Sequence, residues 1–538
     1  MTDLATAPRT MPNDILREEY NKSPYQSFPF FQTHPNHLFT LATLFGLSPT
    51  PLENARVLEL GCASGGNLIP MAYLNPKAEF LGIELAEKQV EDGLRQIKEL
   101  KLKNLTLRHQ SITEFEPVEG KFDYIICHGV YSWVDIPVRE KILDICHHNL
   151  NKDGIAYVSY NTFPGWNMVN SVKDLMQWHT KAITDPAVKA QQARIVLKFI
   201  TDGLSEDKSP YAEFLRNEIN LLSRHADSYL LHEHLSSFNN PVYFHDFMEQ
   251  ATEHKLSYLS DAIIETMYTD NLPPVFANEL KKISNIIITG QYMDFIRNQR
   301  FRCTLLCHQG QIVNRSLKTI DIEQFHLQLI GKPQNPQLSD KDIGEGKEVV
   351  FANAAVTYKI RNPISQLAML ILFEEHQKPI HYSELCQKVA ERGSVKDLNI
   401  IKQYLNEDLN LMRAALAGLI YLSSHPGEFS TTVTEKPLAC PLASYQAKNL
   451  GYATNRRHQA VRLGALTLVI LPHLDGKQDI DALIKIAEQS ITEGKISILD
   501  NNKQPITDKA VIAQQLREAI QNEFKFLASN ALLIERIN

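Results

Sequence analysis

The sequence predicts an α/β protein: a doubly wound parallel sheet with a helical insert, then a mainly helical middle segment and C-terminal winged-helix-like modules. Three observations predict it. Between Val57 and Ser159, short β-rich runs alternate with amphipathic helical runs, the pattern of a parallel sheet covered on both faces. The first β-rich run opens directly into a glycine-rich turn, "VLELGCASGGN" (Val57–Asn67). Beyond Trp166 the alternation gives way to helical periodicity.

In chain order, "RVLEL" (Arg56–Leu60) is the first strand and "NLIPMAYL" (Asn67–Leu74) the helix after its turn. "EFLGIE" (Glu79–Glu84) is the second strand, and Leu85–Leu100 an amphipathic helix with apolar residues at helical spacing. "LTLRHQ" (Leu105–Gln110), "FDYIICH" (Phe122–His128) and "GIAYVSY" (Gly154–Tyr160) read as further strands, with a helix over Arg139–Leu150 before the last. Tyr243–Leu259 reads as a helix leading into a short strand, which places the end of the sheet domain near residue 265 and its helical insert at about 167–227. Residues 1–48 form an N-terminal arm or lid. Residues 266–348 form a helical middle segment that ends in a linker, "GKPQNPQLSDKDIGEGKE" (Gly331–Glu348), poor in bulky apolar residues. Three short helices followed by "LIYLS" and "EFSTTVT" place one winged-helix-like module at 349–439, and 440–538 holds a second or a helical module.

The 538 residues exceed one hydrophobic core. The chain is 43% hydrophobic and 22% charged, with net charge −7. That balance disfavours a dedicated nucleic-acid binder, which carries a basic excess. The seven cysteines show no disulfide-type spacing, which fits a reducing compartment. Cys303 and Cys307 lack the remainder of a zinc ligand set, and His225, His232, His234, His245 and His254 lack the i, i+4 spacing with a glutamate, so no metal site is expected. The N-terminus has no apolar signal segment, and the longest apolar runs are about half a membrane span. A cytoplasmic protein without membrane insertion is expected.

A glycine turn after a first strand suits a dinucleotide, a mononucleotide or a methyl donor. The dinucleotide fingerprint requires a second glycine where Ala63 stands, and no Gly-Lys-Ser/Thr follows. Glu59, two residues before the turn, would repel a phosphate and attract a ligand carrying an ammonium and a sulfonium. Glu84, at the end of the second strand, suits two ribose hydroxyls. Together these describe S-adenosylmethionine.

At these residues the sequence resembles the class I S-adenosylmethionine-dependent methyltransferases, whose sheet is Rossmann-like: "VLELGCASGGN" and "FLGIE" are similar to their first two motifs. "YQSFPFFQTHPNHLFTLATLFGL" (Tyr25–Leu47), "FDYIICHGVYSWV" (Phe122–Val134), "SYNTFPGW" (Ser159–Trp166), "NPVYFHDF" (Asn240–Phe247), "FRCTLLCH" and Pro441–Leu463 resemble the subfamily with a methyltransferase regulatory domain, which includes rickettsial outer-membrane-protein lysine methyltransferases. The resemblance implies that Glu59, Gly61, Cys62 and Ala63 line the methionine part, with Asn67 a further cofactor-binding residue. It places Glu84 and Leu85 on the ribose, and Gln110, Ser111 and Ile112 on adenine. His128 and Gly129 would close over the methyl group, and Tyr25, Gln32 and His34 would belong to a lid. Gln110 departs from the Asp common at its position.

Methyl transfer requires an acceptor lone pair aligned with the methyl group in a dry site. A lysine acceptor must first lose its proton, which an aromatic, desolvating channel assists. The segments "HGVYSWV" and "YNTFPGW" follow the fourth and fifth strands, on the edge where such sheets bind ligands. Tyr131, Tyr160, Asn161 and His128 are the candidate catalytic residues, and Trp133, Trp166 and His234 the candidate substrate contacts. The expected function is lysine methylation of a protein substrate, with a homodimer allowed. A small-molecule N-, O- or C-methyltransferase and a non-catalytic S-adenosylmethionine-binding protein remain alternatives. The absence of a Pro-Pro turn after the fourth strand argues against an amide- or adenine-directed enzyme.

Overall fold

The computed structural model describes residues 27–236, 238–354, 356–498, 506 and 508–535. They divide into two units. The first holds Ser27 and Leu41–Arg315; the second holds Phe28–Thr40 and the chain from Ser316 onward.

The first unit is built on a seven-stranded sheet of order β3-β2-β1-β4-β5-β7-β6. Its strands are β1 (Arg56–Leu60), β2 (Glu79–Glu84), β3 (Leu105–His109), β4 (Phe122–Cys127), β5 (Leu150–Asn161), β6 (Leu256–Asp261) and β7 (Phe301–His308). β1 to β5 run parallel, and β7 lies antiparallel between β5 and β6. Every residue of β4 is buried, as expected of a strand covered on both faces. The segment Pro35–Leu44 forms α1, Leu68–Leu74 α2, Glu87–Leu100 α3 and Ile136–His148 α4. α3 closes with Lys101 in the left-handed conformation, φ +56°, which lets the chain leave the helix toward β3. Asp135 caps α4 by accepting from the Val138 N–H.

The helical insert is α5 (Gly165–Thr180), α6 (Pro186–Gly203) and α7 (Pro210–Ser223), followed by a π-turn at Leu230–His234. Val172, Met176, Leu197, Leu215, Leu222 and Leu230 form its own apolar core. Asp185 and Ser209, each followed by proline at the first helical position, start the second and third helices.

The sheet does not end near residue 265. α8 (Phe244–Glu253) leads into β6, and the chain then passes through α9 (Pro274–Leu280) and α10 (Ile286–Arg297) before returning as β7. "FRCTLLCH" is therefore an interior strand of the sheet, with Cys303 and Cys307 both buried. A buried ion network fixes this return. Arg302 on β7 donates to Asp261 Oδ2 on β6 and to Asp294 Oδ2 on α10, each at 2.8 Å. Its guanidinium carbon lies 3.7 Å from the ring centroid of Phe244.

The second unit also departs from expectation. Its three-stranded sheet has order β12-β8-β13, formed by β8 (His326–Leu329), β12 (Ile380–His381) and β13 (Ile420–Ser423). β8 precedes residue 349, so the module starts before the expected boundary. The segment Gly331–Glu348 is not a plain linker. Its β9 (Lys332–Pro333) pairs with β10 (Val349–Ala352), which pairs with β11 (Thr357–Ile360). The ladder uses backbone groups, so the low apolar content that marked a linker did not prevent pairing. "EFSTTVT" forms no strand; Ser430 N–H donates instead to the Leu533 carbonyl at 2.9 Å. Helices α11 (Pro363–Glu374), α12 (Tyr382–Arg392), α13 (Leu398–Gln403) and α14 (Leu411–Leu416) belong with this sheet. The C-terminal module holds α15 (Pro441–Leu450), the β14–β15 hairpin (Tyr452–Thr454, Ala460–Arg462), α16 (Ala465–Ile470), α17 (Ile480–Thr492) and α18 (Lys509–Ser529). Among the described residues, no helix is long and apolar enough to cross a membrane.

Candidate cofactor and acceptor site

The glycine turn leaves β1 and folds over the end of β2. The Gly61 and Cys62 N–H groups both donate to the Ile83 carbonyl, at 2.9 and 3.1 Å. Gly61 has φ +72°, and a Cβ there would stand 2.5 Å from Val130 Cγ2, so only glycine fits. Ala63, where a dinucleotide loop has glycine, adopts φ +48°. Its N–H donates to Glu84 Oε2 at 3.0 Å, which offsets the strain of that conformation. The Ala86 N–H donates to the other Glu84 oxygen at 2.9 Å. Both oxygens keep lone pairs for further donors, the arrangement a vicinal diol requires. Burial pushes the Glu84 carboxyl up, while these backbone donors hold it down.

Glu59 is 4% exposed. Asn67 Nδ2 donates to its Oε1 at 2.8 Å, and Oε2 is buried with no partner. Burial raises its pKa to about 8, opposed by the Asn67 bond and assisted by the Glu84 charge. An unsatisfied buried carboxylate oxygen is costly unless a donor occupies the space before it. An ammonium group would satisfy it. Gly129, φ +67°, faces open space where a side chain would stand. The residues present therefore fit S-adenosylmethionine: an acid for the ammonium, an acid for the ribose and an open cradle between them.

On the adenine side, Leu85, Gln110, Ser111 and Ile112 are half-buried at the ends of β2 and β3. Ser111 caps a short 3-10 turn and pairs reciprocally with Glu114. The Gln110 amide donates to the Glu114 carbonyl at 3.1 Å. Ile112 packs on the sheet's apolar core.

Beyond β4, the His128 ring is fixed through Nδ1, 2.9 Å from the Tyr157 hydroxyl and 3.1 Å from Ser159 Oγ. Ser159 Oγ also accepts from the Gly129 N–H at 2.9 Å. Burial lowers the His128 pKa to about 4, so the ring is neutral near pH 7. Asn161, at the end of β5, donates to Asn239 Oδ1 at 3.0 Å, and Ser132 Oγ accepts from the Asn161 N–H at 2.8 Å.

Tyr131 and Tyr160 stand apart from these residues. Both lie in the apolar core under the sheet, fully buried. The Tyr131 hydroxyl donates to Gln250 Oε1 at 2.6 Å, and its ring packs on Phe247. Tyr160 stacks on Phe247 at 4.2 Å and its hydroxyl pairs with Thr304. Alternation along β5 separates the two faces: Tyr157, Ser159 and Asn161 share one, Val158 and Tyr160 the other. Trp133 is buried in the 3-10 turn after β4. Trp166 opens α5 with its ring centroid 6.1 Å from that of His234. Of the expected lid, Tyr25 lies outside the described residues. Gln32 and His34 lie in Phe28–Thr40, which belongs to the second unit, where the His34 ring centroid sits 4.8 Å from that of His458.

Sequence reasoning missed several contributors. Ser27 Oγ accepts from the Gly66 N–H at 2.8 Å. Val130 closes on Gly61, Tyr157 and Ser159 hold His128, and Asn239 holds Asn161. Only Tyr157 and Ser159 carried a signal, the period of two along "YVSYN".

Comparison with known proteins agrees with this geometry. Residues 51–207 match a methyltransferase domain, 226–308 a predicted methyltransferase regulatory domain and 435–532 the C-terminal winged-helix domain of PKMT. The fold and cofactor pocket define an S-adenosylmethionine-dependent methyltransferase. The chain is 38% identical to an uncharacterized protein of Rickettsia prowazekii, over 96% of this chain and 93% of the relative. It superposes on PKMT2 from Rickettsia typhi, solved in complex with AdoHcy, with a TM-score of 0.87 and 35% identity, covering 95% of this chain and 100% of that one. A second structure of PKMT2 from Rickettsia typhi gives 0.86 at 34% identity. The chain belongs to this PKMT family of methyltransferases.

Proposed function

We propose that this methyltransferase modifies lysine side chains of a protein substrate in the cytoplasm. The observation that carries the reading is the near full-length likeness to PKMT2, regulatory and winged-helix segments included. A small-molecule enzyme has little use for the second half of such a chain. The acidic balance, net charge −7, disfavours nucleic acid as acceptor.

S-adenosylmethionine supplies an electrophilic methyl group on a sulfonium. In this reading Glu59 and Asn67 hold its ammonium, with Gly61, Cys62 and Ala63 against the methionine backbone. Glu84 and Leu85 hold the ribose, and Gln110, Ser111 and Ile112 frame adenine. Gly129 leaves room above the methyl group. His128 stays neutral, so no imidazolium repels the sulfonium or the incoming ammonium. Asn161, Trp133, Trp166 and His234 face the acceptor chain. Removal of water around a lysine favours its neutral amine, whose lone pair is then aligned with the methyl carbon. Gln32 and His34 remain proposed lid residues.

Incubation with donor labelled in its methyl group and a bacterial extract tests the reading. Label retained on protein and resistant to mild base, as an N-methyl group is, supports it. Transfer confined to small molecules overturns it.

A further inference from the structure

The helical insert holds a second polar site that the methyl-transfer chemistry does not use. Lys173 lies on α5, two turns beyond Trp166, and is 6% exposed. Burial lowers its pKa to about 8, opposed by the charges of Asp174 and Glu233, and among the described residues no side chain or carbonyl comes within hydrogen-bond distance of its ammonium. Across from it, on the π-turn, His234 is 3% exposed, and both of its ring nitrogens are buried without partners. Two facing elements thus each bury an unsatisfied polar side chain, and buried polar groups are otherwise almost always paired.

The walls define what fits. The His234 ring lies between Trp166, centroids 6.1 Å apart, and Tyr229, 5.9 Å apart. The neighbouring Arg300 is already spent: its Nη1 donates to Glu218 Oε2 at 2.7 Å. Glu233 beside His234 forms no ion pair with Lys173; burial raises its pKa to about 7, opposed by the Lys173 charge, so its carboxyl answers that ammonium only in part. The cluster offers an ammonium with free donors, an imidazole N–H and aromatic neighbours. A carboxylate satisfies both donors, with one oxygen on the ammonium and the other on the imidazole. Trp166 follows the carboxyl end of β5 by five residues, so the cluster begins just beyond the strand ends where such sheets bind ligands.

We propose that Lys173 and His234 form a subsite for an acidic side chain of the acceptor polypeptide, so that the enzyme selects lysines with an Asp or Glu nearby in sequence. The proposal rests on the protein-substrate reading above.

A peptide panel tests it. Each peptide carries one lysine and a single Glu at one of the four positions on either side, with a matched Gln peptide for each. The full-length enzyme should methylate one Glu peptide with kcat/KM about tenfold above its Gln partner. In Lys173→Met that ratio should fall below about twofold, and Lys173→Glu should invert it toward an Arg peptide. Thermal melts of both variants confirm folding, and calorimetric S-adenosylmethionine affinity equal to wild type shows an intact donor pocket. Equal rates on every Glu and Gln pair, or a preference that survives Lys173→Met, overturns the subsite. Methylation of no peptide and no protein overturns the protein-substrate reading itself.

Discussion

Asn67 donates to one oxygen of Glu59 over 2.8 Å and leaves the other buried and unpartnered. With a pKa of about 8, Glu59 is mostly protonated at pH 7 in the free enzyme. Its folded value is raised above the ordinary 4.5, so Glu59 favours folding while protonated, and that contribution is lost as pH climbs toward 8. An ammonium ligand reverses the balance by favouring the anion. S-adenosylmethionine binding at pH 7 is therefore expected to release close to one proton, read by calorimetry in buffers of different ionisation enthalpy. Glu59→Gln should abolish the release and weaken binding about tenfold or more.

Gly61 offers a steric test of the same pocket. Its φ of +72° and the nearness of Val130 leave no space for a side chain. Gly61→Arg should remove S-adenosylmethionine binding while circular dichroism shows the sheet retained. Unchanged affinity in a folded variant would move the pocket elsewhere.

Tyr131 and Tyr160 give the opposite expectation. Tyr131→Phe leaves Gln250 without its donor and should cost about 1–3 kcal/mol of stability in urea titration. Turnover per folded enzyme should stay within about twofold. A loss of turnover of a hundredfold at unchanged stability would restore Tyr131 to the chemistry.

The second unit should be acid-labile. His34 packs against His458 and near His37 and His425, and burial and these neighbours lower its pKa to about 3. His458 is lowered too, chiefly by burial. Unfolded histidine takes up its proton near 6.5, so the unfolded state gains protons first as pH falls, and stability present above that pH is lost below it. Thermal melts between pH 7.5 and 5 should show this decline, and His34→Phe should flatten it.

The strand order around β1 to β5 was legible because each element carries its own period, and the cofactor class because Glu59, Ala63 and Glu84 are local to two strand ends. β7 was not, since nothing in "FRCTLLCH" encodes insertion between β5 and β6 after two intervening helices; that pairing is fixed by Arg302 reaching Asp261 and Asp294. The core position of Tyr160 follows from strand parity, which the residue type hid: Ser159 and Asn161 share the face of Tyr157, and Tyr160 the opposite one. Ser27 and Asn239 act through contacts 39 and 78 residues distant in sequence, which no local pattern announces.

Tandem mass spectrometry of protein acceptors, after incubation with the enzyme and a deuterated methyl donor, is the most direct measurement. Deuterated methyl groups mapped to lysine side chains, and absent with Gly61→Arg, are the expected result. Deuterated methyl groups on any other residue type, or on small molecules alone while lysines stay unmodified, would contradict it.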